Sequence, residues 1–320
     1  MYQGLNNLNP KIAIVGSGAV GSYYGAKLAI SGANVHFLMR SDLDHVRRFG
    51  LRVESHETGT EHLNNVNAYE STEDIGQCDL VIIALKATDN HSLESIIPPL
   101  LKNDTVIMTL QNGLGNEEFL ADRFGADRVV GGLCFVCITR TSPGNIKHIA
   151  QGRITCGEFS GLPIPRTHDI SLIFKRAGVP FMVSESLAKE RWRKLVWNIP
   201  FNGLSIVGGG IDTATVLENE ILCDLAKELM KEVMGVAATL GHELPDSLID
   251  HNLQETKKMG AYTPSSMIDF IMNRPVELEA IWGEPVRAGI NAGCDIVRLQ
   301  CLYNLIRISI VRRNSDEIRR

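Results

Sequence analysis

The run Gly16-Ser17-Gly18-Ala19-Val20-Gly21 has residue types and spacing that imply chemistry. It follows the short apolar run Lys11–Val15 and opens a stretch of helical spacing from Ala19 to Ile30. In a strand–turn–helix unit Gly16 permits the tight turn, Gly18 lets backbone approach a pyrophosphate, and Gly21 lets the helix pack closely on the strand. The helix N-terminus adds N–H groups and positive potential for an anion. A dinucleotide site is the chemistry implied. The next apolar run ends Phe37-Leu38-Met39-Arg40-Ser41. An NAD-binding unit usually carries Asp or Glu there for the ribose 2′-hydroxyl. Arg40 instead suits a bidentate grip on a 2′-phosphate, which points to NADP. Asp42 and Asp44 follow closely, and the alternative is that one of them takes the ribose. Lys86 closes a third apolar run, at the kind of strand end where ligands sit in open α/β sheets, and suits the 2′-phosphate or a nearby ribose. Gln111-Asn112-Gly113-Leu114-Gly115 follows a fourth run. Asn112 has both a donor and an acceptor to bridge cofactor and substrate, although Asn-Gly is also a strong turn signal.

A second constellation lies in Glu190-Arg191-Trp192-Arg193-Lys194-Leu195-Val196-Trp197-Asn198-Ile199-Pro200-Phe201-Asn202. Lys194, Asn198 and Asn202 are spaced i, i+4, i+8, which stacks an ammonium and two amides on one helix face. Leu195, Val196, Ile199 and Phe201 surround that stripe with apolar side chains, as in a lined cleft. A lysine there suits carbonyl reduction. Hydride arriving at a ketone carbon makes an alkoxide, and an ammonium stabilises the charge and donates the proton. No metal is needed, and His148 and His168 have no ligand-spaced partner. Pro200 either kinks this helix or restarts it, and a restart would move Asn202 off the line.

The elements that must carry these residues can be read from hydrophobic pattern. Lys11–Val15, Asn34–Met39, Asp79–Leu85 and Thr105–Leu110 read as strands buried on both faces, alternating with helices as in a parallel sheet. Arg128–Thr139 and Asn145–Cys156 read as two further strands joined by Ser142-Pro143-Gly144-Asn145. Beyond Glu185 long amphipathic helices take over. The spacing predicts one helix from Thr213 to Leu240, capped by Asp212 and closed by Gly241, and others over Pro245–Lys258, Pro264–Asn273, Pro275–Asn291 and Asp295–Arg312. The expected architecture is an α/β Rossmann-type doubly wound domain over 1–185 and an all-α substrate and catalytic domain over 186–320.

Composition narrows the field. A chain of 320 residues has room for about two domains. Its net charge of −5 weighs against a nucleic-acid partner. No apolar run is long enough to span a bilayer, and the polar start carries no export signal, so a cytoplasmic protein is expected. The seven cysteines are scattered and do not form a disulfide framework. Cys134 and Cys137 read as buried thiols. The apolar-rich last helices suit either a homodimer face or the domain's own core.

The order and spacing of four motifs resemble the ketopantoate reductase family: GSGAVG at 16–21, LKAT at 85–88, QNGLG at 111–115 and ERWRKLVWN at 190–198. The resemblance runs from Ile12 to about Leu299. It implies NADPH-dependent reduction of 2-dehydropantoate to pantoate, for pantothenate and coenzyme A synthesis, with a 6-phosphogluconate dehydrogenase-like helical domain. By the same resemblance Lys194 is the general acid, and Asn112 contacts substrate and nicotinamide. Asn198 and Asn202 bind the substrate hydroxyl, and Ser266, before Met267, binds its carboxylate. Arg40 and Lys86 contact the adenosine phosphate side. Glu277 touches the cofactor ribose and supports catalysis, with Glu279 as a rival because the spacing from Met267 is one residue short. Thr263, Gly203 and the run Gly208-Gly209-Gly210 depart from the family pattern, all in the substrate half. A reductase of another 2-oxo acid and a non-catalytic NADP-binding regulatory module are the rival readings.

Overall fold

The computed structural model describes residues 4–5 and 9–318. They divide into two compact units, one holding the chain up to Gln111 with Asn116–Leu187, the other holding Asn112–Gly115 with the chain from Ala188 onward.

The first unit carries strands β1 (Lys11–Val15), β2 (Asn34–Leu38), β3 (Leu51–Ser55), β4 (Gly59–Leu63), β5 (Asn67–Tyr69), β6 (Leu80–Ile83), β7 (Val106–Thr109), β8 (Val129–Ser142), β9 (Asn145–Glu158) and β10 (Phe181–Val183). They form one sheet in the order β4-β3-β9-β8-β7-β6-β1-β2-β5, with β10 also paired to β9. Within it, β5-β2-β1-β6-β7-β8 are mutually parallel. Numbered by appearance among themselves these six run 3-2-1-4-5-6, the order of a doubly wound dinucleotide fold, with the direction of winding reversing between β1 and β6. The apolar runs fold this way because both faces of the sheet are covered. Ile12, Ile14, Leu80, Ile82 and Met108 enter one core cluster. Ala13, Val15, Val81, Ile83 and Ile107 alternate into another.

Four strands lie outside the pattern read from sequence. β3 reads Leu-Arg-Val-Glu-Ser and pairs with β4 and β9, β4 reads Gly-Thr-Glu-His-Leu and is largely exposed, and β5 and β10 have three residues each. β8 and β9 are longer than expected and pair through three register shifts. Gly144 closes their turn at φ +69.

The second unit is helical and packs around the fully buried Trp282 and Phe201. Its first helix runs unbroken over Leu187–Val207 with Pro200 inside. Full burial of Ile199 and Phe201, at about 1.5–3 kcal/mol each, outweighs the about 3 kcal/mol cost of an interior proline. The expected helix Thr213–Leu240 is two, Thr213–Glu218 and Glu220–Thr239. Asn219 breaks them apart because its side chain caps the second, accepting from the Leu222 N–H at 3.1 Å. Helices Ser247–Met259, Ser265–Ile271 and Val297–Ile318 follow. The segment expected as a helix from Pro275 starts only near Glu279, as a π-helical turn Glu279–Gly283 that runs into Glu284–Asn291. The glycine run ends the first helix: Gly209 and Gly210 have φ +81 and +98, and the Gly210 N–H bonds the Ser205 carbonyl. No helix among the described residues is long and apolar enough to cross a membrane.

Candidate active site

The parallel strands bring the nucleotide motif residues to one edge. Val15 is in register with Leu38 and Ile83, and Ile83 with Thr109, so four strands end level. The glycine loop leaves β1 there, beside the reversal point. A side chain at Gly16, which has φ +99, would lie 2.5 Å from the Leu85 nitrogen, and one at Gly21 would strike the Gly16 carbonyl. Gly18 is different. It is exposed, and a Cβ there would meet nothing within 4 Å. The glycines thus divide as the motif requires: two permit close packing and one leaves an open approach to backbone. Helix Ala19–Ile30 begins at Gly18 with no side-chain cap and no acidic residue in its first turn. Its N-terminus is therefore available to an anion. Ala19 and Val20 form that first turn, half-buried. Ser17 ties the loop to the end of β2, its hydroxyl donating to the Leu38 carbonyl at 2.8 Å.

Arg40 is exposed, and its guanidinium has no ion-pair or hydrogen-bond partner among the described residues. Asp42, the alternative ribose ligand, is buried and engaged. It pairs with Arg140 at 2.5 Å and accepts from the Gly144 N–H at 3.1 Å. Asp44 is exposed in the first turn of the following helix. Lys86 is half-buried and stands immediately before the 3-10 turn Ala87–Ser92.

In the helical unit, the Lys194 Nζ donates to Asn112 Oδ1 at 2.6 Å. The tetrapeptide carrying Asn112 is fixed against the π turn. The Leu114 N–H donates to the Ala280 carbonyl at 2.9 Å, and a Cβ on Gly113, at φ +87, would fall 2.3 Å from that same oxygen. The Trp282 indole, from the same turn, donates to the Ile199 carbonyl at 3.1 Å on the lysine's helix. One π-helical turn therefore holds both partners of the Lys194–Asn112 contact. Asn198 is buried, and its side-chain amide makes no hydrogen bond to a described residue. Asn202 is engaged at both ends: its amide donates to the Asn198 carbonyl at 3.0 Å and its oxygen accepts from the Ser266 N–H at 3.0 Å. Pro200 has not moved it off the line. Ser266 is buried at the start of its helix.

Comparisons with known proteins bear on the family and the fold. The sequence pattern described as "Ketopantoate reductase PanE/ApbA" matches residues 12–161, and that described as "Ketopantoate reductase PanE/ApbA C terminal" matches 186–309. A protein of Nostoc sp. named 2-dehydropantoate 2-reductase is 41% identical over 313 residues, covering 96% of this chain and 98% of its own. The chain belongs to the ketopantoate reductase family. Two crystal structures titled 2-dehydropantoate 2-reductase share its fold. That from Geobacter metallireducens is 40% identical with a TM-score of 0.91, covering 93% of this chain and 99% of that one. That from Methylococcus capsulatus is 33% identical with a TM-score of 0.87, covering 95% and 97%.

Within this ketopantoate reductase family member, the two candidate glutamates separate cleanly. Glu279 accepts from Arg287 at 2.7 Å and from the Tyr303 hydroxyl at 2.8 Å, on the surface. Glu277 is half-buried, and its carbonyl accepts from the Ile281 N–H at 3.1 Å, two residues ahead of the π turn. One positioning residue escaped the sequence reading. Asn90 Oδ1 accepts from Gln111 Nε2 at 2.7 Å, and Asn90 Nδ2 donates to Asn116 Oδ1 at 3.0 Å. Gln111 and Asn116 are the two stems of the tetrapeptide, so one amide clamps both ends of the segment that carries Asn112. A lone asparagine in a short turn gives no sequence signal of that role.

Proposed function

We propose that the chain catalyses the NADPH-dependent reduction of 2-dehydropantoate to pantoate. The observation that carries this reading is the Lys194–Asn112 contact at 2.6 Å, which places an ammonium and an amide together beside the buried Asn198. The open glycine at 18 and the uncapped helix behind it suit a pyrophosphate. Exposed Arg40 after β2 and Lys86 after β6, with Asp42 engaged elsewhere, favour NADP over NAD. Bound there, the reduced nicotinamide supplies the hydride for the ketone carbon.

The chain's own residues handle the oxygen. Lys194 holds a proton on Nζ and donates it to the alkoxide as negative charge develops. Asn112, accepting from Nζ, fixes the direction of that ammonium, and its side-chain amide is the group proposed to face substrate and nicotinamide. Asn198 offers an unused amide to the substrate hydroxyl. Asn202 holds the Ser266 N–H, which fixes the start of that helix and leaves the Ser266 hydroxyl for the substrate carboxylate. Glu277 is the carboxylate proposed for the cofactor ribose.

The test is consumption of reduced nicotinamide by the purified chain with 2-dehydropantoate, run beside other 2-oxo acids and with NADH. Turnover greatest with NADPH and 2-dehydropantoate is expected. A better 2-oxo acid would move the substrate assignment, and NADPH binding without oxidation of any of them would leave a regulatory module.

A further inference from the structure

The loop after β2 holds opposite charges two residues apart, Arg40 and Asp42. A free carboxylate at this strand end selects a ribose hydroxyl and repels a 2′-phosphate. Here the carboxylate is not free. Asp42 is 5% exposed. Its Oδ1 takes the Arg140 Nη1 at 2.5 Å and the Ser41 hydroxyl at 2.8 Å. Its Oδ2 takes the Gly144 N–H at 3.1 Å. Arg140 also reaches the Ser41 oxygen at 3.3 Å. Arg140 lies in the last residues of β8 and Gly144 in the β8–β9 turn, so the tip of one long hairpin grips the carboxylate from two sides. The turn itself is anchored to the sheet, because the Arg52 N–H of β3 donates to the Gly144 carbonyl at 2.8 Å.

We propose that Arg140 is a cofactor-selectivity residue. By neutralising and immobilising Asp42 it keeps the carboxylate away from the nucleotide, and Arg40 is left as the only unopposed charge of the pair. This rests on the NADP reading above. Selectivity is a difference between two affinities, and here it would be set by withholding a repulsive group as much as by supplying an attractive one.

The experiment measures dissociation constants of NADPH and NADH by titration calorimetry on the full chain, without substrate. Four proteins are compared: wild type, Arg140→Ala, Asp42→Asn, and the double variant. Wild type should favour NADPH. Arg140→Ala should lower the NADPH-to-NADH preference at least about tenfold, since it frees a like charge near the phosphate. Asp42→Asn should keep the preference, and the double variant should recover it, because no carboxylate is released. If Arg140→Ala does not fold, Arg140→Gln, which keeps a hydrogen bond and loses the charge, reads the same ratio. An unchanged ratio in the folded Arg140 variant overturns the proposal. So does a double variant that fails to recover, because Arg140 would then act on the phosphate itself. A wild-type preference for NADH overturns the NADP reading as well.

Discussion

At the scale of single residues, the Lys194 ammonium meets the Asn112 side-chain oxygen at 2.6 Å, a contact that fixes the ammonium in direction. On the mechanism proposed above, replacing Lys194 with Ala removes the proton donor and the charge that would face the alkoxide. Turnover should fall by about 10²–10⁴-fold, the range of general acid catalysis. NADPH affinity should stay within about twofold, because the glycine loop and Arg40 are untouched; turnover near wild type would remove Lys194 from the chemistry. The i, i+4, i+8 spacing made this face legible, because helix geometry alone stacks those positions. It could not divide the work among them. Asn198 keeps its amide unused, whereas Asn202 is occupied by Asn198 and Ser266, and that difference depends on a helix 64 residues away. Glu277 and Glu279 were indistinguishable in sequence for the same reason. Only folding brings Arg287 and Tyr303 onto one and not the other.

At the scale of elements, the decisive pieces are a tetrapeptide and a five-residue π turn. Gly113 has φ +87, and a Cβ there would sit 2.3 Å from the Ala280 carbonyl oxygen. Gly113→Ala must therefore either strain the loop or push it off the turn, and both move Asn112. Since a misplacement of about 1 Å can cost about 10²-fold, turnover should drop by one to two orders of magnitude, while the cofactor dissociation constant holds. Equal loss of both would mean the loop serves general stability. The Asn-Gly pair was legible as a turn, but its docking partner was not. A π turn has no propensity signature, and Pro275–Asn291 reads as ordinary helix until the backbone is seen. The buried strands β1, β6 and β7 were legible because continuous apolar runs belong to sheets covered on both faces. The exposed β4 has no such pattern and owes its existence to pairing with β3. The helix break at Asn219 was hidden because the apolar spacing continues across it, while a single capping side chain ends one helix and starts the next.

At the scale of the whole molecule, the two units have separate apolar cores and separate shares of the chemistry. The glycine loop, Arg40 and Lys86 belong to the sheet unit; Lys194, Asn198, Asn202, Ser266 and Glu277 belong to the helical one. A net charge of −5 gives no global attraction for a polyanion, so recognition of a dinucleotide has to be local, made of oriented N–H groups and a few cations at the sheet edge. Binding energy delivered there should appear where it is delivered. A ligand at about 100 times its dissociation constant stabilises what it binds by about 2.7 kcal/mol, which slows exchange through opening of that unit by about 100-fold. NADPH should therefore protect the amides of β1, β6 and β7 strongly in a hydrogen-exchange experiment. The helix Glu220–Thr239 lies in the core of the other unit and should slow far less. Equal protection of strand and helix would show that the two cores open as one, and that the division seen in the fold is not a division in stability.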